Sequence, residues 1–169
     1  MSKPKRVFVL GHMGAGKALF CEALAKALGW QFIDANPSLE RYIGRSLKTI
    51  LGEQGEQCFH RCETEILTHY IGKEQVVVVL EESVIATEEN RKLLASEYTV
   101  YLKVSTLTQM ERMKGGRIPL LPIANLKAFL DEQHAERDLY YEEVATITLE
   151  SIGVVEEDVN KIIEILNEP

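Results

Sequence analysis

A chain of 169 residues, with 46% hydrophobic and 27% charged side chains, has the make-up of one folded domain able to bury a core. Its formal charge of −7 and isoelectric point near 5.2 exclude the basic face of a nucleic-acid binder but leave room for one local phosphate pocket. No apolar run is long enough to span a bilayer, no leader-like segment follows the basic first residues, and three cysteines are too few for a disulfide framework. A cytoplasmic monomer is expected, without nucleic-acid or membrane partners.

Val7-Phe-Val-Leu10 is a short β-branched and aromatic run that stops at Gly11, the pattern of a buried strand. Residues 19–28 place Phe20, Leu24 and Leu28 at helical spacing before the stop signal Gly29. A second strand is expected over 31–33, ending at Asp34. Residues 38–69 read as helical, broken near Gly44 and between Gly52 and Gly55. Val76-Val-Val-Val-Leu80 is apolar on both faces, as a central parallel strand must be. Helices over 88–96, 107–114, 124–134 and 156–166 alternate with strands over 99–104 and 144–149, and Gly115 to Pro122 forms a loop. Alternation of this kind predicts one α/β domain, a parallel sheet covered on both faces.

Gly11-His-Met-Gly-Ala-Gly-Lys17 falls directly after a strand and directly before a helix. Glycines in that position let the backbone curl so that successive N–H groups face phosphate oxygens, and the helix N-terminus adds its positive end. Gly11, Met13, Gly14, Ala15 and Gly16 are therefore the expected backbone cradle for a nucleotide or phosphate ligand, with Lys17 reaching the β- and γ-phosphates. The motif asks next for a hydroxyl to hold Mg²⁺, and this chain has Ala18, with Leu19 and Phe20 after it. ATP binding is compatible with that change; Mg²⁺ placement is harder to reconcile with it.

From this loop onward the chain resembles the shikimate kinase family nearly end to end. The likeness runs through Trp30-Gln-Phe-Ile-Asp34, Gly44-x-Ser46, Gly55-Glu56-x-x-Phe59 with Glu63, Asn90-Arg91-x-Leu93-Leu94, Pro119-Leu-Leu121, and Arg137 with Tyr141-x-Glu-Val-Ala145. It implies a five-stranded parallel sheet of order 2-3-1-4-5, substrate-domain-like helices over about 35–72 and a lid-like loop over about 114–122. It also implies that Lys17, Asp34 and the lid arginine serve catalysis, that Asp34 helps place the metal, and that residues 36, 60, 82 and 137 face the substrate.

At several of those positions this chain departs from the family pattern. The second acid of Asp-x-Asp is Asn36, which hydrogen-bonds but is no base. The carboxylate-gripping arginine after Phe59 is His60, and Arg61 points about 100° away around the helix. The glycine triplet after the third strand is Glu81-Glu82-Ser83, expected either to repel an anionic substrate and phosphates or to swing into solvent. The lid arginine is Ile118, with Arg117 one residue early. A lost transition-state arginine costs roughly 10³–10⁵ in rate, a broken arginine–carboxylate grip about 2–5 kcal/mol, and the changes together more than ~10⁵ at ~1.4 kcal/mol per tenfold.

That arithmetic leads to the expectation of a shikimate kinase-like pseudoenzyme, weak or inactive in catalysis, that keeps nucleotide or phosphate binding in a regulatory role. The alternative is a working ATP-dependent kinase acting on shikimate or on another hydroxyl substrate. Cys58, His60 and Cys62 match no zinc spacing, because His60 lies about 200° around the helix from Cys58.

Overall fold

Alternate residues of β1 (Arg6–Leu10) divide between the two faces of the sheet, and each half buries against a different helical layer. Val7 and Val9 join Val77, Val79, Val100 and Leu102 under Phe20, Leu24, Val159 and Ile162. Phe8 and Leu10 join Val78, Leu80 and Tyr101 under Leu67, Leu94, Tyr141 and Val144. In this computed structural model, which describes residues 4–35, 47–114 and 125–167, the first layer is α1 (Lys17–Leu28) with the C-terminal helix α6 (Val155–Leu166). The second comprises α2 (Leu47–Ile71), α3 (Glu88–Ala95) and α5 (Leu126–Val144); α4 (Thr106–Lys114) packs on α5.

The sheet contains β2 (Gln31–Ala35), β3 (Val76–Leu80), β1, β4 (Thr99–Lys103) and β5 (Ile147–Glu150) in that spatial order, every neighbouring pair parallel. Every residue of β3 is buried, as the unbroken apolar run requires, whereas the edge strands β2 and β5 are only partly covered. This is the α/β P-loop kinase architecture with order 2-3-1-4-5. Its strands deliver Gly11, Asp34 and Glu81 to the C-terminal edge of the sheet, where open parallel sheets bind ligands.

Several elements differ from the sequence reading. Helix α5 runs to Val144, ten residues past the expected end at His134, and β5 starts at Ile147 rather than Val144. Its buried stripe is Leu130, Gln133, Arg137, Tyr141 and Val144, and the two polar members hide the helical period from a purely apolar reading. A short 3₁₀ turn over Glu82–Ala86 follows β3, where the sequence pattern predicts no element. The break in α2 is confined to Gly52 (φ 74°, ψ 173°), and Gly55 is helical. The expected break at Gly44 and the lid-like loop lie outside the described residues. No described helix is long and apolar enough to cross a membrane.

Candidate active site

The loop between β1 and α1 has the backbone its glycines were expected to permit. Gly11 sits at φ 152°, and a Cβ there would come within 2.8 Å of the Leu102 carbonyl oxygen. Gly16 adopts φ 84° and forms the N-terminal cap of α1 without a side-chain hydrogen bond, leaving the first helical N–H groups facing the loop. Met13 is buried against Met113 and Leu130, and Ala15 against the strands. These contacts fix the loop from below.

Lys17 is folded back into this loop. Its Nζ donates to the carbonyls of Gly11 (2.7 Å) and His12 (3.0 Å) and forms an ion pair with Glu82 at 3.3 Å. Both partners of that pair are buried. The Tyr141 hydroxyl donates to the Glu82 carbonyl at 2.6 Å and approaches the Gly11 carbonyl at 3.4 Å, so one phenol joins the phosphate loop to the turn after β3.

Glu81 and Glu82 do not swing into solvent, because the 3₁₀ turn directs both inward. Burial, then the charge of Glu82 beside it, pushes the Glu81 carboxyl up to about 9. Burial thus favours the protonated form of Glu81, and Glu82 is paired with Lys17. The repulsion expected of two full negative charges is weakened accordingly.

A second set of side chains, not singled out in the sequence, holds the loop from the α4 and α5 side. Gln109 Nε2 donates to the Met13 carbonyl at 2.7 Å, and the Arg112 guanidinium donates to the Ala15 carbonyl. His12 Nε2 lies 2.6 Å from Asp138 Oδ1, and His134 bridges Asp138 (2.9 Å) to Gln109 Oε1 (2.7 Å). Burial depresses the His12 pKa to about 4 despite the Asp138 hydrogen bond. Burial pulls the Asp138 carboxyl upward, but its hydrogen bond to His12 and the histidine charges together hold it below its usual value. Helical spacing is the signal available beforehand: Gln109 and Arg112 are i, i+3 partners, and His134 and Asp138 are i, i+4.

Beside the turn after β3, His60 Nδ1 pairs with Glu63 Oε1 at 2.6 Å, and Ser83 Oγ donates to Glu63 Oε2 at 2.8 Å. The Glu63 hydrogen bond raises the His60 pKa against the effect of burial. Burial raises that of Glu63, opposed by its bonds to His60 and Ser83. Arg137 is buried, and its positive charge acts on His12, His60 and Glu63 alike. Asp34 is exposed at the end of β2, and its charge and that of Lys17 both reach buried Cys21. Cys58 and Cys62 are exposed, and Arg61 donates to Cys58 Sγ. Asn36, Arg117 and Ile118 lie outside the described residues.

Comparison with known proteins extends these observations. The family model described as shikimate kinase matches residues 13–167. A shikimate kinase from Legionella pneumophila is 35% identical over 151 residues, covering 88% of this chain and 86% of the relative. One from Francisella tularensis subsp. holarctica is 33% identical over 166 residues, covering 96% and 94%. The solved shikimate kinase from Acinetobacter baumannii, in complex with shikimate, has a TM-score of 0.79 and 29% identity, covering 96% of this chain and 93% of its own. These relatives correct the expectation of a weak or inactive binding module and of a pseudoenzyme. Likeness to enzymes over almost the whole chain favours the working-kinase alternative, and the charge repulsion that counted against it is lessened by the upward shift of Glu81 and the Lys17–Glu82 pair. The family uses ATP and Mg²⁺. With the family model spanning residues 13–167 and relatives a third identical along most of their own length, this chain belongs to the shikimate kinase family.

Proposed function

We propose that this chain is an ATP-dependent kinase that transfers the γ-phosphoryl group to a hydroxyl of shikimate, acting as a single-domain cytoplasmic monomer. The observation that carries the reading is the phosphate loop: positive-φ glycines, an open α1 N-terminus and Lys17 at its base. In the reaction the substrate oxygen bonds to the γ-phosphorus as the bond to the ADP oxygen breaks, and the hydroxyl proton is released. Such transfer depends mainly on positioning and charge stabilisation. The loop N–H groups and Lys17 hold the phosphates, and Lys17 must exchange Glu82 for them.

Mg²⁺ commonly retains several waters and takes one or two carboxylates together with substrate phosphates. Asp34 fits that modest demand, although exposed Ala18 supplies no oxygen. When bound, the ion would neutralise charge on the transferring group. Arg117 is assigned to that group from the lid. Asn36, His60 and Arg137 are assigned to the substrate; His60 is already paired with Glu63, so it positions more than it grips. Glu82 is assigned to holding Lys17 until nucleotide arrives.

The test is ADP release by the purified chain supplied with Mg²⁺, ATP and shikimate in a coupled assay. Release that depends on shikimate is the expected outcome. Release no greater than without shikimate, from folded protein, sinks this assignment; a panel of other hydroxylated small molecules then tests the same transfer on a different acceptor.

A further inference from the structure

We propose that His12, His134 and Asp138 form a binding site for a divalent transition-metal ion of the zinc class, tying the phosphate loop to α5. Their donor atoms lie within 4.8 Å of one another, with His12 buried and the other two partly covered. The imidazole rings stack obliquely at 4.0 Å between centroids, so both approach the same carboxylate. Two imidazoles and one carboxylate suit zinc and its neighbours, whereas Mg²⁺ prefers oxygen donors throughout.

The hydrogen-bond pattern sets the protons. The Met13 carbonyl can only accept, so Gln109 must present Nε2 to it at 2.7 Å and turn Oε1 toward His134. Oε1 can only accept, so His134 Nε2, 2.7 Å away, must carry the hydrogen. Neutral His134 then has its lone pair on Nδ1, facing both Asp138 oxygens at 2.9 and 3.0 Å. A lone pair against a carboxylate is repulsive unless a cation stands between them. His12 Nε2 adds a third donor atom, 2.6 Å from the same Oδ1.

The cation is a proton or a metal ion, and the surroundings resemble those of a ligating histidine. Such a histidine normally donates its other N–H to a fixed oxygen, as His134 does to Gln109. An ion about 2.1 Å from each donor would set them about 3.4 Å apart in tetrahedral geometry. The two short gaps would widen by less than an ångström, and water would complete the coordination. His12 Nδ1 has no hydrogen-bond partner among the described residues. It lacks one with or without metal, so it does not decide between the two states.

Calorimetric titration of the full chain with Zn²⁺ alone, without nucleotide, tests the proposal independently of kinase activity. One Zn²⁺ per chain is expected, with affinity falling at least ~100-fold in Asp138→Asn or His134→Ala and about 10–100-fold in Gln109→Ala, which leaves every ligand in place. Thermal unfolding confirms that each variant is folded, and Cys58→Ser with Cys62→Ser should bind as the unaltered chain does. Absence of Zn²⁺ binding by the unaltered chain overturns the proposal, leaving a proton between His134 and Asp138. Equal affinity in folded Asp138→Asn and Gln109→Ala overturns it too, as does loss of binding in the cysteine variant.

Discussion

The phosphate loop and the turn after β3 face each other across Lys17, yet they are built on different principles. The loop is specified by backbone: Gly11 and Gly16 hold conformations that side chains disfavour, and Arg112 and Gln109 grip its carbonyls from outside. The turn is specified by side chains: Glu81, Glu82 and Ser83 are all buried, each committed to a polar environment. The first takes its shape from contacts within the chain. The second supplies Lys17 with an anion already, so nucleotide binding becomes an exchange of partners.

Lys17→Ala breaks this comparison most severely, because it removes the charged group that links the two regions. The loss of a charged phosphate donor should lower kcat/KM at least ~100-fold. Removing the cation from a buried pair should also cost about 3–5 kcal/mol, read as a lower denaturation midpoint. Glu82→Gln asks the opposite question. It keeps the side-chain shape but removes the charge that pairs with Lys17, and ATP should bind about tenfold more tightly, a change of ~1.4 kcal/mol. Unchanged ATP affinity would show that Glu82 does not compete for the lysine.

How much of this was readable beforehand follows from the same contrast. Gly11 to Lys17 and the parallel sheet could be read because strand periodicity and positive-φ glycines leave direct marks on residue type, whereas the strand order came only from the resemblance to the shikimate kinase family. The state of Glu81 and Glu82 could not, because the charge of a carboxyl depends on burial and neighbours that only the fold supplies. The sequence shows two acids where glycines were expected, and they stood with Ala18, Asn36, His60 and Ile118 behind the inactive reading. The His12–Asp138 contact joins residues 126 apart in the chain, so no local pattern announces it. His134 and Asp138 were hidden differently, since polar positions on the covered face of α5 made the helix look finished at His134.

Tyr141→Phe probes the joint between the two regions. It deletes one hydroxyl, fully buried, whose bond to the Glu82 carbonyl measures 2.6 Å. A carbonyl left without that donor should cost about 1–2 kcal/mol in chemical denaturation. ATP affinity should change as well, since the turn that presents Glu82 to Lys17 loses its tether. A loss of stability with no change in ATP affinity would mean that the two regions act independently.

The smallest expected effect lies one step farther out, in the His60–Glu63–Ser83 chain that supports the turn from α2. Folding raises the His60 pKa above 6.5 through its bond to Glu63, and raises that of Glu63 above 4.5 through burial. The folded chain therefore holds protons here that the unfolded chain gives up more readily. For His60 the stability gained is complete below about pH 6.5 and is lost as pH rises through the higher folded value. Glu56 adds to the upward pull on His60 and Arg137 opposes it, so the direction rests mainly on Glu63. Other carboxyls titrate in the same experiment, and only a difference between two proteins isolates this pair. The stability gap between the unaltered chain and His60→Gln should be widest near pH 6 and should narrow steadily toward pH 8.5, measured by urea denaturation at each pH. A constant gap would mean that His60 supports the turn by packing alone, and that the proton it shares with Glu63 contributes nothing to the shape of that turn.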